Sequence, residues 1–279
     1  MGTQTALVTG ASTGIGRAVA LHLDALGWGV YAGVRTTEAA DALQAEASVR
    51  LQPVMLDVTR PDQIAEVMAR LEIELGNRGL GALVNNAGIP VGGPLEYLDL
   101  DELRRCFEVN TIAPIAMVQA AADLLRTAHG RIVFVSSIAA RISGPNMGPY
   151  SASKHAVSAL AESLRAELHS AKVRVSVIEP GSIDTEIWAK STTYGEDLRA
   201  NLPQAAIERY DKLLSHSEKV IAASAANAPE ASLVAEAVEK AITARFPKSR
   251  YLVGRDARSV AGVLRVLPDR LRTAMVRRI

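Results

Sequence analysis

Short runs of apolar and β-branched residues alternate with longer helical patterns along the chain, and this alternation limits the fold more than any other feature. The strand candidates are Ala6–Thr9, Gly29–Val34, Leu51–Asp57, Ala82–Asn85, Arg131–Ser136, Arg174–Ile178 and Arg250–Val253. Several are apolar at consecutive positions, as a strand must be when both of its faces are buried. Between them lie the helical stretches Gly16–Leu26, Gln63–Leu75, Leu103–Leu125, Ser151–His169 and Ser232–Ala244. Repeated strand–helix units imply a parallel sheet with helices on both faces.

With right-handed crossovers, this pattern predicts an α/β fold: a doubly wound parallel sheet of the Rossmann type with about seven strands. A length of 279 residues allows one large domain or two small ones. No linker, repeat or low-complexity stretch divides the chain, so a single domain over 1–279 is expected. One region breaks the rhythm: Ser182 to Pro229 is helical in pattern and holds no strand. It follows a strand's C-terminal end, where open α/β sheets bind ligands, so 186–229 reads as a substrate lid.

Composition excludes several classes. A net charge of +1 argues against a nucleic-acid surface. Cys106 is the only cysteine, so no intrachain disulfide can form, and it reads as a buried packing residue. No secretory signal precedes the first strand, and no apolar run reaches a membrane span, so a cytoplasmic protein is expected. The segment 255–279 stands apart: seven arginines and two aspartates give it a formal +5, leaving −4 on the rest. Val260, Val263, Leu264, Leu267, Leu271 and Met275 recur there at near-helical spacing, interrupted by Pro268. Two short basic amphipathic helices fit, either docked on the protein itself or touching anionic membranes peripherally.

Chemistry concentrates in a few places. Thr9-Gly10-Ala11-Ser12-Thr13-Gly14-Ile15-Gly16 joins the first strand to the first helix. Glycine there permits a tight turn and close backbone approach, and the helix N-terminus offers unpaired N–H groups to phosphates. Tyr150 and Lys154 are four residues apart in a helical pattern, hence on one face. A phenol has a pKa near 10. An ammonium about 4 Å away, at an effective dielectric of about 20, is worth about three pKa units. Lys154 is therefore expected to bring Tyr150 toward neutrality. Ser136 and Ser137 close the fifth strand, where a hydroxyl can donate to a developing oxyanion.

The spacing Gly-xxx-Gly-x-Gly, with Thr9 before it, Asn85-Asn86-Ala87-Gly88, Tyr150-Ser-Ala-Ser-Lys154, and Pro180-Gly181 with Thr185 resembles the short-chain dehydrogenase/reductase family over residues 5 to 185. That resemblance implies alcohol–carbonyl interconversion with a nicotinamide dinucleotide. It implies that Gly10, Ser12, Thr13, Gly14, Ile15 and Gly16 cradle the pyrophosphate, that Asp57 and Val58 meet the adenine, and that Asn86, Ala87 and Gly88 pass the adenosine ribose. Asn85 is left the role of holding the sheet together. Ser137, thirteen residues before Tyr150, matches the family's serine, which makes Ser136 a strand-end residue. Asn110 matches a fourth catalytic member that supports Lys154 by a relay, although it could equally repair a kink ahead of Pro114. Lys154 also holds the nicotinamide ribose beside Tyr150. Pro180, Gly181 and Ile183 fix the carboxamide, with Thr185 beside the phosphates.

Cofactor choice turns on the end of the second strand. Val34 stands where a carboxylate usually holds a ribose 2′-OH, and Arg35 follows with a cation suited to a 2′-phosphate. NADP(H) is favoured, with NAD(H) as the alternative. Ile142, Pro145, Met147, Val91, Ile187 and Trp188 suggest a mostly apolar substrate pocket without a cationic clamp, suited to a lipophilic secondary alcohol or ketone. Val30–Arg35 and Glu179–Ile187 look like hydroxysteroid and retinol dehydrogenases. A catalytically silent dinucleotide-binding regulator is the alternative function. The resemblance also implies a homodimer or homotetramer through Leu103–Leu125 and Ser151–His169, where Ala152, Ala156, Ala159 and Ser163 permit close approach.

Overall fold

The computed structural model describes residues 4–226 and 228–276; Arg277, Arg278 and Ile279 of the basic tail lie outside them. Seven parallel strands form one sheet: β1 (Thr5–Val8), β2 (Gly29–Val34), β3 (Leu51–Met55), β4 (Ala82–Asn85), β5 (Arg131–Val135), β6 (Arg174–Pro180) and β7 (Arg250–Val253), in the order β3-β2-β1-β4-β5-β6-β7. The order reverses direction between β1 and β4. Crossover loops leave to opposite sides there and open a cleft at the strands' C-terminal ends.

Side chains of a strand alternate between its faces, and each face here has its own core. Ala6, Val8, Val30, Ala32, Val34, Val84, Val133 and Ile178 point to one side. That side is covered by α1 (Gly14–Ala25), α2 (Thr37–Gln44) and, from later in the chain, Ser232–Thr243. Leu7, Tyr31, Leu83, Ile132, Phe134 and Val177 point to the other. They meet α3 (Pro61–Leu75), α5 (Ala113–Ala120), α6 (Ala122–Ala128) and α7 (Gly148–Glu167), while α4 (Leu100–Phe107) packs on α7 outside this core. Burial on both faces explains the unbroken apolar strands. The short α2 had no expected counterpart; Thr36 caps it by accepting from Ala39 N at 3.2 Å.

The expected continuous helix Leu103–Leu125 is broken. Glu108–Ile112 forms a π turn between α4 and α5. Pro114 supplies a reason: it has no N–H, and its ring clashes with the carbonyl four residues earlier, that of Asn110. β6 also runs two residues beyond expectation, because Glu179 and Pro180 pair with Leu252 and Val253 of β7.

The strandless stretch folds into α8 (Ile187–Asn201) and α9 (Gln204–Ala226), which gather Leu202, Ala206 and Leu214 into a small core against Tyr97 and Tyr210. α10 (Ser232–Thr243) returns to the sheet. The tail forms α11 (Arg255–Val266) and α12 (Asp269–Val276), with Pro268 between them as expected. It docks on its own chain by burying Ala257 and Ala261, and Arg272 donates to Arg141 O. Val263, Val266 and Leu271 stay exposed on its outer side.

Candidate active site

The glycine turn is fastened by the segment after β4. Thr9 Oγ1 accepts from Asn86 N and Ala87 N at 3.0 and 3.1 Å. The Asn86 carboxamide donates to Thr9 O and Gly10 O, both at 3.0 Å. Gly10 and Gly14 have φ of 65° and 55°, and a Cβ on Gly16 would stand 2.2 Å from Gly10 O. Only glycine tolerates these positions. The sheet-holding role expected of Asn85 is therefore taken by Asn86, which also lines the cleft. Asn86 spends its side chain on tying β1 to β4, whereas both polar side-chain atoms of buried Asn85 lack a partner. A sequence of two adjacent asparagines does not say which one turns toward Thr9.

α1 starts immediately after Thr13, whose side chain makes no cap hydrogen bond, so the first-turn N–H groups face the cleft. Ser12, Thr13, Gly14, Ile15, Asn86, Ala87 and Gly88 line this part. Asp57 and Val58 line the far end with Arg35. Asp57 Oδ1 accepts from Thr59 N and Oγ1 at 2.9 and 2.7 Å. Burial raises the Asp57 pKa, but these bonds and nearby Arg35 and Arg60 outweigh it and leave the carboxyl below its usual range. Its other oxygen is left for an amine. Arg35 is exposed at the end of β2 and makes no hydrogen bond or ion pair among the described residues. A dinucleotide fits this donor set, from the uncapped helix to the acid at the adenine end.

At the other end, Ser137, Tyr150 and Lys154 converge. The Ser137 hydroxyl lies near enough to the Tyr150 phenol to favour its ionised form, and it accepts from Ala139 N at 3.1 Å. Lys154 Nζ lies 5.6 Å from the Tyr150 ring centroid and donates to Val135 O at 3.1 Å, leaving two N–H groups for ribose hydroxyls. Ser136 also borders the cleft, but its buried hydroxyl is spent on Lys154 O. The expected fall of the phenol toward neutrality does not occur in the protein alone. Burial pushes Tyr150 up to about 12, against the influence of the nearby Ser137 hydroxyl, and pushes Lys154 down to about 8. Desolvation penalises both charged forms and outweighs their attraction here.

Asn110 reaches neither Tyr150 nor Lys154 with its side chain. It accepts from Ile89 N at 2.8 Å and donates to Ile89 O and Ser153 Oγ, each at 3.0 Å. Ser153 in turn donates to Tyr150 O at 2.7 Å. Asn110 thus joins the strand β4 exit to the first turn of α7, with buried Cys106 beneath it.

Pro180 ends β6 and Gly181 N donates to Val253 O at 2.9 Å. A Cβ on Gly181 would strike the Asp256 carboxylate, which accepts from Ser182 N at 2.7 Å. Ile183 is buried, and Thr185 packs against Gly14. Trp188 donates its indole N–H to Ile183 O at 2.7 Å, while Met147 is exposed. Ile187 lines the cleft, as expected, but so do Arg105 and Glu186. The lining is therefore less apolar than the sequence suggested. Arg105 is held in a fork by Glu102, with bonds of 3.0 and 2.7 Å. Arg105 lies in no motif and Glu186, although inside the Glu179–Ile187 stretch, has no role implied there; nothing in their spacing distinguishes them from surface charges.

A cleft with an uncapped helix at one end and a phenol backed by an ammonium at the other suits a phosphate-bearing cofactor and a proton transfer. That combination defines a dinucleotide-dependent oxidoreductase. Known proteins fall in with it. The family model described as short chain dehydrogenase matches residues 4–194. Retinol dehydrogenase 5 of Mus musculus is 35% identical, over 96% of this chain and 86% of its own. An NADPH-dependent 3-dehydrocapnine reductase of Ornithobacterium rhinotracheale is 32% identical, over 95% and 93%. A short chain dehydrogenase/reductase from Burkholderia phymatum, solved with NAD, superposes with a TM-score of 0.77 at 26% identity, covering 95% of this chain and 92% of that one. The chain belongs to the short-chain dehydrogenase/reductase family, and is an oxidoreductase acting on CH–OH groups.

Proposed function

We propose that the protein is an NADP(H)-preferring oxidoreductase that interconverts a lipophilic secondary alcohol and its ketone, with Tyr150 as general acid and base. The observation that carries this reading is Tyr150 at the cleft, with Ser137 beside its phenol and Lys154 buried behind it. The bound nicotinamide supplies or accepts the hydride. In reduction, Ser137 donates to the substrate's carbonyl oxygen and Tyr150 Oη gives up its proton there. A phenol held protonated by burial is ready for that role. Lys154 then stabilises the phenolate and orients the ribose. α8 and α9 cover the substrate, and the whole chain works as one domain.

The NADP(H) preference rests on unpaired Arg35 and on the absence of a carboxylate at Val34. Initial rates with a panel of lipophilic ketones test the reaction, with kcat/KM higher for NADPH than for NADH as the expected result. Arg35→Ala should weaken NADPH binding by about 2 kcal/mol, as for a lost charge-assisted hydrogen bond, and leave NADH nearly unchanged. A wild-type preference for NADH, or equal losses for both cofactors, would refute the role of Arg35.

The proposed assembly is a symmetric dimer or tetramer through α7. Ala152, Ala159 and Ser163 are exposed and Ala156 is half-buried, so this small-residue face is not used within the chain. Leu160, on the same face, and Ile112, on the adjoining π turn, are exposed apolar side chains. Light scattering at micromolar concentration should give at least a dimer mass, and a monomer there would refute the interface.

A further inference from the structure

The phosphate-binding turn has an acidic neighbour. Measured from where a Cβ on Gly14 would stand, Thr185 Cγ2 is 3.1 Å away and Glu186 Oε2 is 3.4 Å away. Gly14 opens α1, so the Glu186 carboxylate lies beside the helix N-terminus that a diphosphate must reach. Glu186 lines the cleft together with Ser12, Thr13 and Ile15. It is exposed, and among the described residues no hydrogen bond or ion pair engages its carboxylate. It is also the N-cap residue of α8, the first of the two helices in the lid segment.

An anion is favoured at an uncapped helix start, and two anions cannot share one. We propose that Glu186 is a built-in competitor of the cofactor diphosphate. Its carboxylate rests in the positive field at the start of α1. When a dinucleotide is bound, repulsion between Glu186 and the diphosphate weakens binding and speeds cofactor release. Because Glu186 heads α8, displacement of its side chain also acts on the first turn of the lid. This role rests on dinucleotide binding at the glycine turn and assigns cofactor exchange to a residue outside the motifs that bind it.

The test is equilibrium and stopped-flow binding of NADPH, NADH, ADP and adenosine 2′-monophosphate to wild type, Glu186→Gln and Glu186→Asp. Glu186→Gln is nearly isosteric and exposed, so it keeps the fold while removing the charge. It should tighten NADPH, NADH and ADP by a similar factor, roughly three- to ten-fold, chiefly through slower dissociation. The gain should shrink in about 0.5 M salt, which screens exposed charges. Adenosine 2′-monophosphate has no diphosphate and should bind unchanged, and Glu186→Asp should stay nearer to wild type. Unchanged or weaker dinucleotide binding by Glu186→Gln overturns the proposal. So does equal tightening of adenosine 2′-monophosphate, which marks a general change of the cleft. A wild-type protein that binds neither NADPH nor NADH refutes the cofactor reading itself.

Discussion

Tyr150→Phe is expected to lower kcat by about 10³-fold or more while cofactor affinity stays within a few fold. Acid–base catalysis by a positioned side chain contributes roughly 10²–10⁴ in rate, and no other hydroxyl at this point combines the position with a supporting cation. Ser137 lies beside the same phenol but has no ammonium behind it. The phenyl ring preserves the half-buried shape, so binding survives. Lys154→Ala should reduce both turnover and cofactor affinity, because in the proposed mechanism Nζ supports the phenolate and orients the ribose. The pH dependence follows from the direction of the shifts. Burial brings Lys154 down to about 8, so its ammonium is present below that pH and lost above it. The kcat/KM for NADPH, which reports the free protein, should therefore fall above about pH 8. Substantial turnover by Tyr150→Phe, measured in single-turnover mixing, would refute the assignment of the proton to this residue.

Glu179→Ala should destabilise the fold by about 3 kcal/mol, the low end for removing one partner of a buried charge cluster. Glu179 is fully buried on β6, yet it carries two ion pairs: Arg141 Nε at 2.6 Å and Arg250 Nη1 at 2.7 Å. Arg141 follows the short turn Ile138–Ala140 that leads away from Ser137, and Glu179 immediately precedes Pro180-Gly181. The carboxylate therefore clamps the two segments that border the proposed hydride-transfer site. Without it, two guanidiniums face each other over a cavity. Both arginines are about one-third exposed, so water relieves part of the cost, which is why the low end applies. For a chain of this size the loss corresponds to a fall in Tm of about 6–12 °C. Glu179→Gln, which keeps the shape and one acceptor, should fall between Ala and wild type. Calorimetric melting checks this; a Glu179→Ala protein melting within about 2 °C of wild type would show that the cluster contributes little to stability.

The strands were legible in the sequence because burial on both faces leaves runs such as Ala6-Leu7-Val8 and Ile132–Val135 with no polar alternation to obscure them. The glycine turn was legible for a local reason: positive φ at Gly10 and Gly14 restricts those positions to one residue type. The Tyr150–Lys154 pair was legible because helical spacing puts both on one face and the glycine turn, Asn85-Asn86-Ala87-Gly88 and Ser137 accompany it. The engagement of Asn86 and the burial of Glu179 were not legible. Each depends on groups tens of residues apart, as when Asn86 meets Thr9 or Arg250 meets Glu179. The phenol shows the same limit in energetic form. Spacing predicted attraction to Lys154, but the desolvation that holds Tyr150 near 12 exists only once the cleft has closed around it. Sequence determined what is local, namely backbone conformations, faces and spacings. Tertiary structure decided which charges lose water and which partners they gain, because burial and dielectric are properties of the whole fold.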